Sequence, residues 1–366
     1  MSSVRQNLSL VLVSLFVYLV GVTSAWAQPS GARGDDFIYR VMPNDTLIQL
    51  STRFTGTPDN WSTLQSLNNV ADPYALPIGL ELRIPFALIP QVEAQAIMTH
   101  IIGQAFVNQQ PAQREAALNE GDVLSTAAHS FVTFRLPDGS VAALPPDTSL
   151  RIERLRTFMG TGLLDSILSL QSGDLESSVA PDGQGVGRYE VRTPVSITGV
   201  RGTRWRVRTD NHGARTEVLS GAVQMGPQRA DGPRVSSNHG IAVTADGQIL
   251  PARPLLAPPA LRVNDAPGSA RSINIEPVAG AVHYQIRVAG DAAGTQPVWS
   301  DIVTHGPVRY HTPGAGTWYV LVRAIDDLGL MSADATLEVD GRAVLISGAG
   351  DAIQTGYGDV VVLTDF

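Results

Sequence analysis

Phe37-Ile38-Tyr39-Arg40-Val41-Met42-Pro43-Asn44-Asp45-Thr46-Leu47 is the stretch on which the reading of this chain turns. Tyr39–Val41 reads as a short strand, and Met42-Pro43-Asn44-Asp45 breaks it. Thr46 is placed to cap a helix, with Gln49 three residues later completing a capping box. Leu47, Leu50 and Phe54 recur at helical spacing and give one apolar face. Gly56 ends that helix. Thr57-Pro58 starts a second, with proline at the first helical position, where its missing N–H is harmless. Trp61, Leu64 and Leu67 form its apolar face, and Asn68-Asn69 stops it. Leu80–Ile84 returns as a second strand and Pro85 terminates it. The pattern predicts a βααβ module over residues 36–86, with a small core around Trp61, Leu50 and Ile84.

That order, closing on Leu76-Pro77-Ile78-Gly79 and Leu82-Arg83-Ile84-Pro85, resembles the lysin-motif (LysM) family. The resemblance implies binding of the N-acetylglucosamine of peptidoglycan or chitin in a shallow groove between two loops. Carried over by position, the glycan-binding residues are Pro43, Asn44, Asp45, Thr46 and Leu47, facing Asp72, Tyr74, Ala75, Leu76 and Pro77. Backbone N–H and C=O groups of both loops would hold an acetamido group, and Tyr74 or Leu76 would offer an apolar surface. One departure from the family is Asn44, where a glycine is usual; asparagine tolerates the left-handed conformation, so the turn is expected to survive. A single copy is expected to bind weakly, because avidity needs linked sites. A module that keeps the fold as a spacer without glycan affinity is the alternative.

The compartment is argued from other residues. Residues 1–27 carry Arg5, an apolar run from Leu8 to Val22, and the ending Ala25-Trp26-Ala27, which together read as a signal peptide cleaved before Gln28. An uncleaved anchor is the competing reading, but the run is about fifteen residues, short of the ~20 that span a bilayer. With the leader removed, no later stretch is apolar enough to cross as a helix, so an exported, periplasmic protein is expected. The chain contains no cysteine and no lysine, so all 26 of its Lys+Arg cations are arginine. That removes disulfides, thiolate metal sites and lysine chemistry. The net charge of −8 weighs against nucleic acid as a partner. Abundant Gly, Pro, Val and Thr predict a mainly β, multidomain protein.

Over residues 96–228 the pattern becomes one of short strands and turns. Phe131–Leu136 and Val141–Leu144 flank Pro137-Asp138-Gly139-Ser140, a strong hairpin signal. Tyr189–Thr193, Val195–Val200, Trp205–Val207, Thr216–Leu219 and Ala222–Met225 follow, and predict a β-sandwich or β-solenoid. Three pieces resemble the FecR family of periplasmic domains: Glu120–Val123 with Phe131–Ser140; Gly173-Asp174-Leu175; and Thr193-Pro194 leading to Gly199–Trp205 and Leu219–Val223. Gly202 in Arg201-Gly202-Thr203 suggests a bend or close backbone approach, and Arg201 is read as pairing with a neighbouring strand. Some members of that family relay signals from an outer-membrane receptor to a sigma factor through a cytoplasmic head and a transmembrane helix, which the processed chain is expected to lack. What carries over is an exported β domain able to contact an envelope protein.

Residues 251–259 form a proline-rich linker. Beyond it, over residues 260–340, Ser272–Glu276, Gly280–Val288 and Gly316–Asp326 resemble a fibronectin type III-like β-sandwich. The tail, residues 341–366, holds Ala343–Ile346 and Val360–Leu363, consistent with either an added strand pair or a loose end.

No Gly-x-Ser-x-Gly or His-Glu-x-x-His motif occurs, and Gly183-x-Gly185-x-Gly187 lacks the helix a dinucleotide loop needs. His305 and His311 read as surface residues rather than a metal site. No catalytic residue, metal site or cofactor is assigned. The expected function is a non-enzymatic, wall-anchored scaffold or envelope sensor. The alternatives are a periplasmic signalling component acting through the FecR-like domain, and a murein hydrolase or its activator.

Overall fold

The computed structural model describes residues 31–179, 186–227, 232–264, 272–314, 316–341, 343–344, 353 and 362–363. The expected leader, and Gly183 and Gly185, lie outside these residues. The N-terminal module comprises β1 (Gly31–Arg33), β2 (Asp36–Arg40), α1 (Leu47–Thr55), α2 (Trp61–Asn68) and β3 (Glu81–Pro85), with the strands in the order β1-β2-β3. The first helix starts and stops as the sequence requires. Thr46 is extended and accepts a hydrogen bond from the Gln49 amide, and Gly56 closes the helix at φ 74°. The second differs. Pro58–Asn60 is a separate 3-10 turn capped by Thr57, and the α-helix begins only at Trp61.

Trp61 is not the centre of the core. It is only partly buried, and α2 sends Leu64 alone fully inward. The core is instead aromatic: the Phe54 ring lies 5.1 Å from both Phe37 and Tyr39, with Leu47, Leu50, Leu82 and Ile84 around them. An eight-residue helix of about two turns points only Leu64 fully inward, and its first residue stays at the rim.

The central unit is one β assembly. Its early strands are β4 (Gln91–Glu93), β5 (Ala96–Ile102), β6 (Ala105–Val107), β7 (Gln110–Pro111), β8 (Ala117–Leu118), β9 (Val123–Thr126), β10 (Phe131–Arg135) and β11 (Val141–Leu144). A long hairpin follows, β12 (Ser149–Phe158) and β13 (Leu164–Ser178), then β14 (Val186–Arg192), β15 (Ile197–Asp210), β16 (Gly213–Gly226), β17 (Arg234–Ser236), β18 (His239–Thr244) and β19 (Arg253–Pro254). The main path runs β19-β18-β16-β15-β14-β13-β11-β10-β5-β8. All pairings are antiparallel except β13 with β14. The Asp138-Gly139 hairpin forms between β10 and β11, with Gly139 at φ 86°. The ladder of β15 and β16 slips at Arg201–Arg204, where Gly202 takes φ 54°. A Cβ on the facing Gly221 would lie 2.7 Å from the Gly202 carbonyl, so the close backbone approach read from the sequence is present. The side chain of Arg201 lies outside the described residues.

The C-terminal unit is a two-sheet sandwich. One sheet is β20 (Leu261–Asn264), β21 (Ser272–Ile275) and β24 (Val308–Arg309). The other runs in the order β23 (Pro297–Val303), β22 (His283–Ala289), β25 (Gly316–Ile325), β26 (Ala335–Gly341). Its core includes Ile273, Tyr284, Ile286, Val320 and Val322. Within the tail, β27 (Ala343–Val344) pairs with β28 (Val362–Leu363), so the described part is a strand pair. Arg253-Pro254, in the proline-rich stretch, pairs with β18.

The three units are packed on one another by different means. The tip of the β12–β13 hairpin enters the N-terminal module: Phe158 and Leu163 belong to that module's apolar core. Phe158 stacks on Phe86 at 4.2 Å, and the Met159 amide donates to the Pro90 carbonyl. The far side of the central sheet meets β22 and β25 of the sandwich, both of which are buried on two faces.

Phe158→Ala is therefore expected to destabilise the N-terminal module by about 3–5 kcal/mol, although Phe158 is outside it in sequence. Thermal unfolding checks this: the transition that carries the N-terminal aromatic signal should move down while that of the C-terminal sandwich stays in place.

Candidate functional site

The two loops expected to bind glycan lie side by side. One joins β2 to α1 and the other joins α2 to β3. The Leu47 amide donates to the Pro73 carbonyl at 3.0 Å and ties them together. Below this bond, Leu47 and Leu76 are buried, so both belong to the floor rather than to a contact surface. Above it, Pro43, Asn44, Asp72, Tyr74, Ala75 and Pro77 are exposed, and Asp45 and Thr46 are half-buried.

Each loop is set by its own side chains. Asn44 sits at φ 70°, the left-handed conformation its position demands. The Asp45 carboxylate is turned inward: one oxygen accepts from the Met42 amide at 2.7 Å and from the Tyr39 hydroxyl at 2.9 Å. Thr46 is used as the α1 cap. Of the first loop's predicted residues, Asp45, Thr46 and Leu47 thus shape the loop, and Pro43 and Asn44 present its outer face. In the second loop Asp72 accepts from the Tyr74 amide at 2.8 Å, while Gly79 donates to the Val41 carbonyl and closes the base.

Two apolar side chains stand out from this base. Tyr74 and Ile78 are each 71% exposed. Ile78 was not among the residues singled out from the sequence. Its signal was an apolar residue in a turn, directly before Gly79 at φ 83° and two residues from the buried Leu76. A phenol ring and an aliphatic tip beside polar loops suit the C–H face of a sugar. Burial pushes the Tyr39 phenol above its ordinary value of 10.0, and the neighbouring Asp45 carboxylate adds to the rise while Arg53 opposes it. Among the described residues no group of three or more His, Asp or Glu is arranged to hold a metal, and no helix is long and apolar enough to cross a membrane.

Two family models match the chain. One, described as "LysM domain", matches residues 39–85; the other, described as "FecR protein", matches residues 122–224. The chain carries both domains, with a mainly β architecture after the small α/β module. Among solved structures, a candidate anti-sigma factor from Parabacteroides distasonis is similar at 21% identity and a TM-score of 0.30, over 36% of this chain and 59% of that one. A second crystal structure of that protein overlaps at 22% identity and the same TM-score of 0.30. The chain spans 59% of that protein's length. The chicken CNTN1 FN1–FN3 domains overlap at 13% identity and a TM-score of 0.17, covering 69% of this chain and 96% of that one. No curated protein matches the chain.

Asp45→Ala is expected to loosen the first loop, at a cost of about 1–3 kcal/mol for the two lost hydrogen bonds; urea unfolding of the full chain measures it. Because folding holds the Tyr39 proton more tightly, its contribution to stability is complete below pH 10.0 and declines as pH rises above it. Unfolding midpoints taken on both sides of that pH should show the decline, and Asp45→Asn should shrink it.

Proposed function

We propose that this is an exported, periplasmic, non-enzymatic peptidoglycan-binding protein. Its LysM domain grips the wall through the loop pair Pro43–Leu47 and Asp72–Pro77, and holds the FecR domain and C-terminal sandwich there as a scaffold or envelope sensor. The observation that carries the reading is the LysM match over residues 39–85, together with two tied loops whose outer side chains include Tyr74. The loops are pre-shaped by internal bonds of Asp45, Thr46 and Asp72, so little ordering is needed on binding. The ligand class is an N-acetylglucosamine-containing glycan. The FecR match over residues 122–224 favours a second reading, in which that domain relays a signal to an envelope partner. No cofactor is required by either.

Sedimentation of the full chain with insoluble peptidoglycan tests the first reading. Wild-type protein should pellet with the wall material, and Tyr74→Ala should weaken retention about tenfold, as loss of about 1.4 kcal/mol of stacking implies. Protein that stays in the supernatant at low salt would end that reading and leave the second.

A further inference from the structure

We infer that the C-terminal sandwich is a reversible cover, latched over the outer face of the central sheet by a charge-balanced cluster of buried arginines and carboxylates. This goes beyond wall binding and does not depend on it.

Cross-strand register builds the sheet's half of the latch. Glu176 on β13 faces Arg206 on β15, which faces Glu217 on β16. The sandwich supplies Arg287 from β22, Arg323 from β25 and Asp334 from the segment before β26. Arg323 holds Glu176 with both terminal nitrogens, one at 2.9 Å, and reaches Asp334 at 2.6 Å. Arg287 bridges the same two carboxylates at 3.1 and 2.9 Å. Arg206 donates to the Ser332 carbonyl at 2.7 Å, and Glu217 accepts from the Met331 amide. Three buried guanidinium groups thus meet three carboxylates, and the partly exposed Arg204 approaches Asp334 at 3.7 Å. Around them the Thr133 hydroxyl donates to the Thr295 carbonyl and Arg204 to the Ala293 carbonyl.

Two properties make this contact a latch rather than a shared core. First, the apolar clusters of the two units are separate: that of the central sheet lies within residues 94–249 and that of the sandwich within residues 256–339. Leu330, which lies against Gly240, and Met331 are buried at the contact and belong to neither apolar cluster. Second, the charges are imperfectly satisfied. Nε and Nη1 of Arg206 and Nε of Arg287 are buried without a hydrogen-bond partner. A water-sized cavity of about 10 Å³ beside them is lined by Glu176, Arg206, Glu217 and Arg323. Burial pushes the Arg206 guanidinium down to about 10, helped by Arg323 and opposed by Glu217 and Glu176. Taking these groups out of water offsets most of their mutual attraction. Lifting the sandwich returns them to water, and leaves behind a face that alternates Asp174, Glu176, Arg204, Arg206, Arg208 and Glu217 and tolerates solvent.

The chain has no cysteine, so paired spin labels can be placed cleanly at Arg151→Cys and Ile302→Cys, both exposed, one on each unit. With the latch intact and about 0.05 M salt, the inter-label distance should be single and narrow. Arg287→Glu with Arg323→Glu should lengthen and broaden it while each unit keeps its own melting transition. Glu176→Gln, which leaves the sandwich untouched, should open it in the same direction and decides the matter if the double variant does not fold. An inter-label distance that stays single and unchanged in Glu176→Gln would overturn the proposal.

Discussion

The β12–β13 hairpin is the constraint on which the rest of the molecule depends. Its tip places Phe158 and Leu163 in the core of the LysM domain, and β13 carries Glu176 near its other end into contact with the C-terminal sandwich. Fifteen residues of β13 at roughly 3.3 Å each span about 50 Å. A single continuous strand therefore joins both interfaces, and the order of the three units in space follows from it. The ladder is reinforced where it matters: Asp165, fully buried, receives Arg188 at 2.6 and 2.8 Å and Gln91 at 3.0 Å, clamping β13 to β14 and β4.

The two ends of that hairpin use opposite physics. At the LysM end, apolar side chains are shared, and separation would expose Phe86 and Phe158 to water. At the sandwich end, the contact is made largely of charged and main-chain groups that water also satisfies, with Leu330 and Met331 beside them. Burial alone would raise the Glu176 carboxyl, but Arg287 and Arg323 outweigh it and hold it down at about 2. Glu176 is thus held in its charged form, whereas burial pushes the Glu217 carboxyl up against the pull of Arg206 and Arg208, and opening returns both to water. One junction shares an apolar core and the other does not, a difference that fixes the loop pair of the LysM domain with respect to the central sheet while leaving the sandwich separable.

Much of the local structure was legible in the sequence because it rests on local chemistry. Thr46, Gly56, Asn44 and Asp138-Gly139 each specify a backbone conformation, and each adopts it. The βααβ order follows from periodicity, and the two-sheet sandwich is what the fibronectin type III-like resemblance of Ser272–Glu276, Gly280–Val288 and Gly316–Asp326 implies. The errors arose where a partner distant in sequence decides the outcome. Trp61 has the volume of a core residue, but the aromatic contacts of Phe54 with Phe37 and Tyr39 fill that space first. Leu76 looked like a sugar platform because it lies in a loop, yet it is the loop's buried anchor. The strand alternation that puts Arg206, Arg287 and Arg323 outward on their own sheets reads as solvent exposure, and nothing within one domain says that another domain covers them. Both interdomain contacts were missed for that reason.

The absence of lysine gains a structural sense at the same place. Arg323 satisfies Glu176 and Asp334 at once, and Arg287 does so from the neighbouring strand. A planar fork with five donors can bridge two carboxylates within a flat sheet interface, whereas a lysine ammonium is a compact, strongly hydrated point charge whose desolvation is harder to offset. Arg206 adds a second use of the same geometry, reaching two successive carbonyls at Met331 and Ser332 while lying beside Glu217. An interface of this kind depends on the shape of the cation as well as its sign. Because its acceptors are mainly carboxylates and main-chain carbonyls held by a strand or its adjoining turn, orientation is specified tightly even though the net attraction is modest. The charged cluster fixes how the sandwich sits when it is seated, and the separate apolar cores keep both units folded when it is not.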